Sequence, residues 1–361
     1  MTSIWDPIRI GNMTLKHRFA MAPMTRSRAR PDGTPGDLAP TYYAQRAAFG
    51  LLIAEATQPS DDGQGYLTTP GIYTDAHVDG WRRVTEAVHA KGGHLFIQLM
   101  HVGRMSHPDN TPHHRQPVAP SAIASGQKMF TAAGMLDMPE PRALPTEEIA
   151  ATVRDFAHAA RQAIAAGADG VEIHGANGYL IQQFFAPNAN VRTDRYGGGI
   201  ENRARLALEV TRAVVEAIGP ERTGIRLSPG STFGGIDEGP DSAALYRYLV
   251  PALAELDLAY LHVAHGGDED LLAEIRRLWP NPLLVTRDNR PLAKAADDVE
   301  AGHADVAAVA RWALANPDFV IRYRFGVPLN EPDPTTFYGG DAHGYTDYPT
   351  LDEPASTQAG L

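Results

Sequence analysis

The chain contains no cysteine, which excludes disulfides, zinc–thiolate sites, iron–sulfur clusters and a cysteine nucleophile. Lysine is scarce, confined to Lys16, Lys91, Lys128 and Lys294, and acidic residues outnumber basic ones to leave a formal charge of −11. That balance disfavours nucleic acid and anionic lipid as partners, because both need a basic patch large enough to release counterions. A small-molecule partner fits better. No apolar run approaches the roughly 20 residues that span a bilayer. The N-terminus, MTSIWDPIRIGN, lacks a basic start followed by an apolar stretch, so a cytoplasmic protein is expected. Without a secretory signal, the sequon Asn12-Met13-Thr14 is not read as a glycosylation site. Also missing is a G-x-G-x-x-G turn between a strand and a helix, which counts against an open dinucleotide-binding sheet.

What is present is alternation. Short apolar runs recur at Phe19–Ala22, Leu51–Ala54, Leu95–Leu99, Gly170–Ile173, Thr223–Leu227, Ala259–Val263, Leu283–Val285 and Val306–Val309. Between them, Val78–Lys91, Thr146–Ala166, Asn202–Ile218, Ser242–Leu256 and Pro291–Ala301 carry helical periodicity. Thr146, followed by Glu147 and Glu148, resembles a helix start, and Gly167 and Gly219 stand where helices should stop. Continuous apolar strands alternating with helices imply a parallel sheet covered on its outside, and eight of them favour a closed (β/α)8 barrel. At 361 residues the chain fits a single barrel domain with insertions.

Ile8–Ile10 and Thr14–Leu15, joined at Gly11-Asn12, read as a hairpin that caps the barrel floor. The segment Val102–Ala143, rich in Pro, His and Ser, is too long for an ordinary connection after the third strand and is expected to act as a lid or binding loop. The tail 328–361 carries Phe337, Tyr338, Tyr345 and Tyr348 and is expected to pack on the barrel.

In this architecture the chemistry lies at the C-terminal ends of the strands. The polar residues there are Thr25 and Arg26, Glu55 and Thr57, Gln98 and His101, then His174, Asn177 and Tyr179 after the fourth run. Arg226 and Ser228, His262 and His265, Thr286 and Arg287, and finally Arg311 follow. His174 and Asn177 can both donate hydrogen bonds to one oxygen and so stabilise negative charge on it, while Tyr179 offers a proton from a group neutral at pH 7. A satisfied core histidine beside a packing tyrosine is an equally good reading of these residues taken alone.

Arg226 and Arg311 would suit an anionic ligand, although each taken singly reads as a rim ion pair. Gln98, an amide within an apolar strand, needs a partner. His101, His107, His113 and His114 follow no standard metal spacing, and no metal site is expected.

The segment HGANGYLIQQFFAPNANVRTDRYGG (174–198) resembles the signature of the Old Yellow Enzyme family of FMN-dependent ene-reductases. RFAMAPMTRSRA (18–29), YYAQRAAFGLLIAEAT (42–57), GHLFIQLMHVGR (93–104), ENRARLALEV (201–210), GIRLSP (224–229), NPDF (316–319), and FYGG with GYTDYP (337–349) are similar to family segments in the same order. The resemblance implies that Pro23, Met24, Thr25, Ala56, Gln98 and Arg226 surround the flavin, and that Ala310 and Arg311 bind its phosphate. It implies that His174 and Asn177 hold the substrate's carbonyl or nitro oxygen and that Tyr179 protonates the α-carbon after hydride reaches the β-carbon from flavin N5. Tyr66, Met100 and Tyr338 would line the substrate pocket. NADPH or NADH would reduce the flavin in the same pocket, giving ping-pong kinetics.

Three departures stand out. Met100 replaces a tryptophan common in relatives and gives a softer wall. LLVTRDN (283–289) replaces a glycine-rich phosphate loop, so the Arg287 side chain is expected to take over part of the phosphate contact. The segment AHGGDED (264–270) is short and lacks a tryptophan.

The leading expectation is an NAD(P)H-dependent ene-reductase acting on activated alkenes. Reduction of nitro compounds or nitrate esters as the main activity, and flavin binding without turnover, are the alternatives. Dienoyl-CoA reduction is disfavoured because those relatives need a cysteine-ligated cluster and an added dinucleotide domain.

Overall fold

The computed structural model describes residues 2–287 and 291–351. Its eight parallel barrel strands are Phe19–Met21, Leu51–Thr57, Leu95–Leu99, Gly170–Gly175, Thr223–Leu227, Tyr260–Ala264, Leu283–Thr286 and Val306–Val309, and they close in chain order. All eight coincide with the apolar runs of the sequence, because strands buried on both faces carry side chains that are apolar in either phase.

Outside them lie helices including Asp75–His89, Thr146–Ala165, Ile200–Ile218, Ser242–Ala254 and Glu269–Leu278. The first begins three residues before the periodic run because Thr74 caps it, its hydroxyl accepting from the His77 amide. Gly167 and Gly219 end their helices with φ of 89° and 91°. Pro291–Ala301 does not form the continuous helix expected. It divides into a 3₁₀ turn, Leu292–Lys294, and a short helix, Asp297–Glu300, where Asp298 turns inward onto Arg287.

The antiparallel pair Ile8–Ile10 and Met13–Leu15 forms the hairpin, one residue longer on its second arm than expected. Ile10 and Leu15 are fully buried against the barrel's own interior residues Ala20, Leu51, Phe96 and Leu284, which closes the floor with hydrocarbon. The mouth is left as the polar end.

The long segment after the third strand is better ordered than its composition implies. Lys128–Thr131 pairs antiparallel with Gly134–Asp137, and Val118–Ala119 pairs with Arg142–Ala143. Its start is tied to the turn after the fourth strand, where Gln183 donates to the carbonyls of Val102 and Gly178 and accepts from the Arg104 amide. The segment is therefore anchored to the turn that follows the fourth strand.

The tail through residue 351 is held mainly by arginines on the barrel. Arg26 donates to the carbonyls of Phe337 and Gly344, and Arg28 donates to those of Thr336 and His343. Tyr345 stacks on Tyr42 at 4.3 Å between ring centres. Residues 352–361 of the expected packed tail lie outside the described residues.

Candidate active site

The fourth strand ends at Gly175, and the turn that follows carries the site. Asn177 takes a left-handed backbone (φ 54°), unusual for a side-chain-bearing residue. Its amide donates to Ser228 Oγ at 2.8 Å, which ties the turn to the end of the fifth strand. Gly178 follows at φ 75°, and a Cβ there would lie 2.2 Å from the Phe233 carbonyl oxygen, so only glycine fits. Gln182 accepts from the Gly178 amide and donates to Glu238, completing a buried brace behind the turn. Gln182, Gln183 and Glu238 were not anticipated. The only sequence signal for the first two is a pair of amides in an otherwise apolar helical stretch, Leu180–Phe185.

His174 Nδ1 accepts the Ala176 amide at 3.2 Å, so a neutral ring carries its proton on Nε2 as a donor. Burial, with the charges of Arg226 and His262 in support, pushes the imidazole well below its ordinary titration range and keeps it neutral. The Tyr179 ring meets His174 edge-on at 4.9 Å, and its hydroxyl lies 3.0 Å from that of Tyr66. Burial and the neighbouring Tyr66 and Tyr338 push the Tyr179 phenol well above its ordinary range, so it remains a proton donor. The Asn177 carboxamide has no protein partner among the described residues. One turn thus presents two neutral hydrogen-bond donors and one acid.

The remaining sequence candidates distribute around this centre. Met100 is buried with Met105, Met129, Met138 and Tyr179 in one apolar cluster, against which Tyr66 packs, so the wall beside the acid is largely methionine. Tyr338 is 68% exposed and lies near enough to Tyr66 and Tyr179 to act electrostatically on both. Pro23, Met24 and Thr25 are half-buried after the first strand, and Ala56, Gln98 and Arg226 are buried on the second, third and fifth.

Ala310 and Arg311, after the eighth strand, line a cleft together with Thr286, Arg287 and Asp298. Arg287 lines the cleft with its guanidinium already paired. Its guanidinium donates to both carboxylate oxygens of Asp298, at 2.6 and 3.0 Å, and to Glu269, so two negative charges offset its one. The Arg311 guanidinium, by contrast, has no partner among the described residues. Asp288 and Asn289 of the altered loop lie outside them.

Several strand-end residues turn away from the centre. Glu55 accepts from the Arg26 amide and the Tyr43 hydroxyl, and Arg26 serves the tail. His262 and Thr286 point into the barrel and bond to each other at 2.7 Å. His113 lies with Asp61 and Asp62, where Arg115 already supplies a cation to both aspartates.

A planar ring with alternating N–H and C=O groups and a phosphate tail matches these donors. Gln98 offers amide groups, Thr25 a hydroxyl without a protein partner among the described residues, Arg226 a cation beside the fourth strand, Arg311 a second at the cleft, and Ala56 a thin wall. The fold and site thus define a flavin-dependent oxidoreductase.

The chain belongs to the NADH:flavin oxidoreductase / NADH oxidase family, whose model matches residues 3–330, and within it to the Old Yellow Enzymes. It is 45% identical to a probable flavin mononucleotide-dependent alkene reductase of Leishmania infantum, with 96% of each chain covered. It is 40% identical to 12-oxophytodienoate reductase 2 of Arabidopsis thaliana, covering 97% of this chain and 96% of the relative. Morphinone reductase in complex with tetrahydroNAD superposes with a TM-score of 0.93 at 45% identity, with 98% of each chain covered. FMN is the cofactor and a nicotinamide dinucleotide the reductant. Among the described residues, no helix is long and apolar enough to cross a membrane.

Proposed function

We propose that the enzyme is an ene-reductase that reduces alkenes conjugated to a carbonyl group, with nitro-activated alkenes as further substrates. The observation that carries this reading is the neutral donor set on one turn, His174, Asn177 and Tyr179, with Nδ1 of the histidine committed to the backbone. Relatives include an alkene reductase and a 12-oxophytodienoate reductase, which supports the same substrate class.

FMN, when bound and reduced by NADPH or NADH, would supply the hydride that the alkene β-carbon takes up. His174 Nε2–H and the Asn177 amide N–H donate to the substrate's activating oxygen, drawing electron density from the alkene and stabilising the charge that develops on that oxygen. Tyr179 gives its hydroxyl proton to the α-carbon. The Tyr66 hydroxyl, 3.0 Å away, then donates to the phenolate left behind. Pro23, Met24, Thr25, Ala56, Gln98 and Arg226 would hold the flavin ring, with the Arg226 cation favouring negative charge there. Ala310 and Arg311 would meet the phosphate. Arg287 orders the wall of that cleft through Asp298 and Glu269 and carries little of the phosphate's charge. Met100, Tyr66 and Tyr338 bound the substrate.

Anaerobic bleaching of the flavin by NADPH or NADH, followed by reoxidation with cyclohexenone, tests the reading. A reduced enzyme that cyclohexenone leaves bleached, and that a nitro compound or nitrate ester reoxidises, would replace it with the nitro-reductase alternative.

A further inference from the structure

Inside the barrel, a level above the apolar floor, four polar side chains form one row. Gln98 Nε2 donates to Glu172 Oε1 at 2.7 Å, Glu172 Oε2 lies 2.8 Å from His262 Nδ1, and His262 Nε2 lies 2.7 Å from Thr286 Oγ. They come from the third, fourth, sixth and seventh strands. On the fifth strand, Gly224 stands opposite both Glu172 and Tyr260 in the register, and Arg226 stands opposite His262. A Cβ at Gly224 would lie 2.4 Å from the Tyr260 ring, so glycine there makes room for that ring.

Glu172 is 0% exposed. Withdrawing a carboxylate from water costs several kcal/mol even when it is paired, and a well-packed apolar group is often as stable in its place. Yet Glu172 keeps its charge. Against the burial, His262, Arg226 and the Gln98 amide hold its carboxyl below the ordinary range. A charge retained here needs a reason beyond packing, and Gln98 offers one. Facing an ionised carboxylate, the amide must present its nitrogen, because the flipped amide would set a carbonyl oxygen against an anion. One N–H is thereby committed, and the carbonyl oxygen and second N–H stay available as an adjacent acceptor and donor. That pair complements the N–H and C=O groups along the pyrimidine edge of a flavin.

The geometry points to Glu172 as a positioning residue for the flavin: it fixes the orientation of the Gln98 amide that would meet the pyrimidine edge and moderates the positive charge of Arg226. This rests on the reading that Gln98 and Arg226 meet the FMN ring.

The test uses purified enzyme stripped of FMN and reconstituted, with FMN affinity read from quenching of flavin fluorescence and the midpoint potential from redox titration. Glu172→Gln removes the charge and leaves the Gln98 amide free to flip. FMN affinity should fall about tenfold, and the midpoint potential should rise because Arg226 stabilises the reduced flavin without opposition. Glu172→Asp keeps the charge but is one methylene short of Gln98, so affinity should fall similarly with the potential unchanged. In a Gln98→Leu background, Glu172→Asp should cost no further affinity.

Wild-type affinity in a folded Glu172→Asp variant would overturn the assignment, as would an affinity loss that persists undiminished in the Gln98→Leu background. If neither Glu172 variant folds while Gln98→Leu does, Glu172 is a fold determinant and the assignment fails. Wild-type FMN affinity in Gln98→Leu would instead remove the premise that Gln98 meets the ring.

Discussion

The two ends of the proposed flavin site are built on opposite plans. At the proposed substrate end, His174, Asn177 and Tyr179 carry no formal charge, and their orientation comes from backbone contacts within one turn and its brace to Ser228. At the phosphate end the working groups are charges, and what distinguishes one arginine from another is whether a carboxylate has already claimed it. Arg287 is claimed twice and Arg311 not at all among the described residues. Local geometry decides the first end and long-range pairing decides the second, so substitutions at the two ends should fail in different ways.

The largest effect is expected at the acid. Tyr179→Phe should slow alkene reduction by roughly 10²- to 10⁴-fold, the usual range for a positioned acid, while leaving reduction of the flavin by NADPH unchanged. Stopped-flow measurement of the two half-reactions checks this. Equal slowing of both would mean that Tyr179 shapes the pocket rather than supplying a proton. Next comes His174→Ala, which removes one of two donors to the substrate oxygen and should cost on the order of 10²- to 10³-fold in kcat/KM for the alkene. Phenolic ligands that place an oxygen at the same spot should bind correspondingly less well. Retention of their affinity in His174→Ala would detach the histidine from the oxygen.

The contrast between the ends also explains what could be read from the sequence. Eight strands were legible because each is an uninterrupted apolar run, and the turn at 174–179 because its residues are contiguous. Glu172 lies two residues before His174, hence on the same interior face of its strand, and that phase was the one available clue. Its partners Gln98 and His262 are 74 and 90 residues away, and only closure of the barrel brings them together. The Tyr66 to Tyr179 contact spans 113 residues in the same way. Arg287 was assigned to the phosphate from the loop sequence alone, which does not reveal that Asp298 and Glu269 converge on it. The hairpin 128–137 escaped notice because its strands are four residues each and half exposed, with little apolar alternation to betray them.

At the phosphate end the expected effects are smaller and divide between two observables. Arg311→Ala should weaken FMN binding about 10- to 100-fold, the worth of one charge-assisted contact, and the loss should shrink at high salt because Arg311 is exposed. Arg287→Ala should change FMN affinity by no more than about twofold. It should instead lower the melting temperature of the apoenzyme, since Asp298, with its side chain 6% exposed, would lose its guanidinium partner in a buried setting. The reverse pattern, with affinity following Arg287 and stability following Arg311, would exchange their roles.

The smallest expected effect is an absence of change. His174 is held below its ordinary value of 6.5 and Tyr179 above its ordinary value of 10.0, so both keep the protonation state the reaction needs between pH 6.5 and 9.5. The rate constant for reoxidation by an alkene at saturation should vary by less than about twofold across that window. An inflection near pH 6.5 would mean that a histidine charges during function, and the neutral plan of the substrate end would fall. Stability should behave differently over the acid range. Below pH 6.5 the unfolded chain protonates its histidines while buried His174 stays neutral, as does His101, whose value burial lowers to about 4. The unfolded state therefore takes up more protons, and stability falls as pH drops from 6.5 toward 4. His101→Gln should flatten that fall without altering the rate profile, because His101 is buried with Nδ1 accepting the Gly103 amide and is not one of the proposed donors to the substrate oxygen.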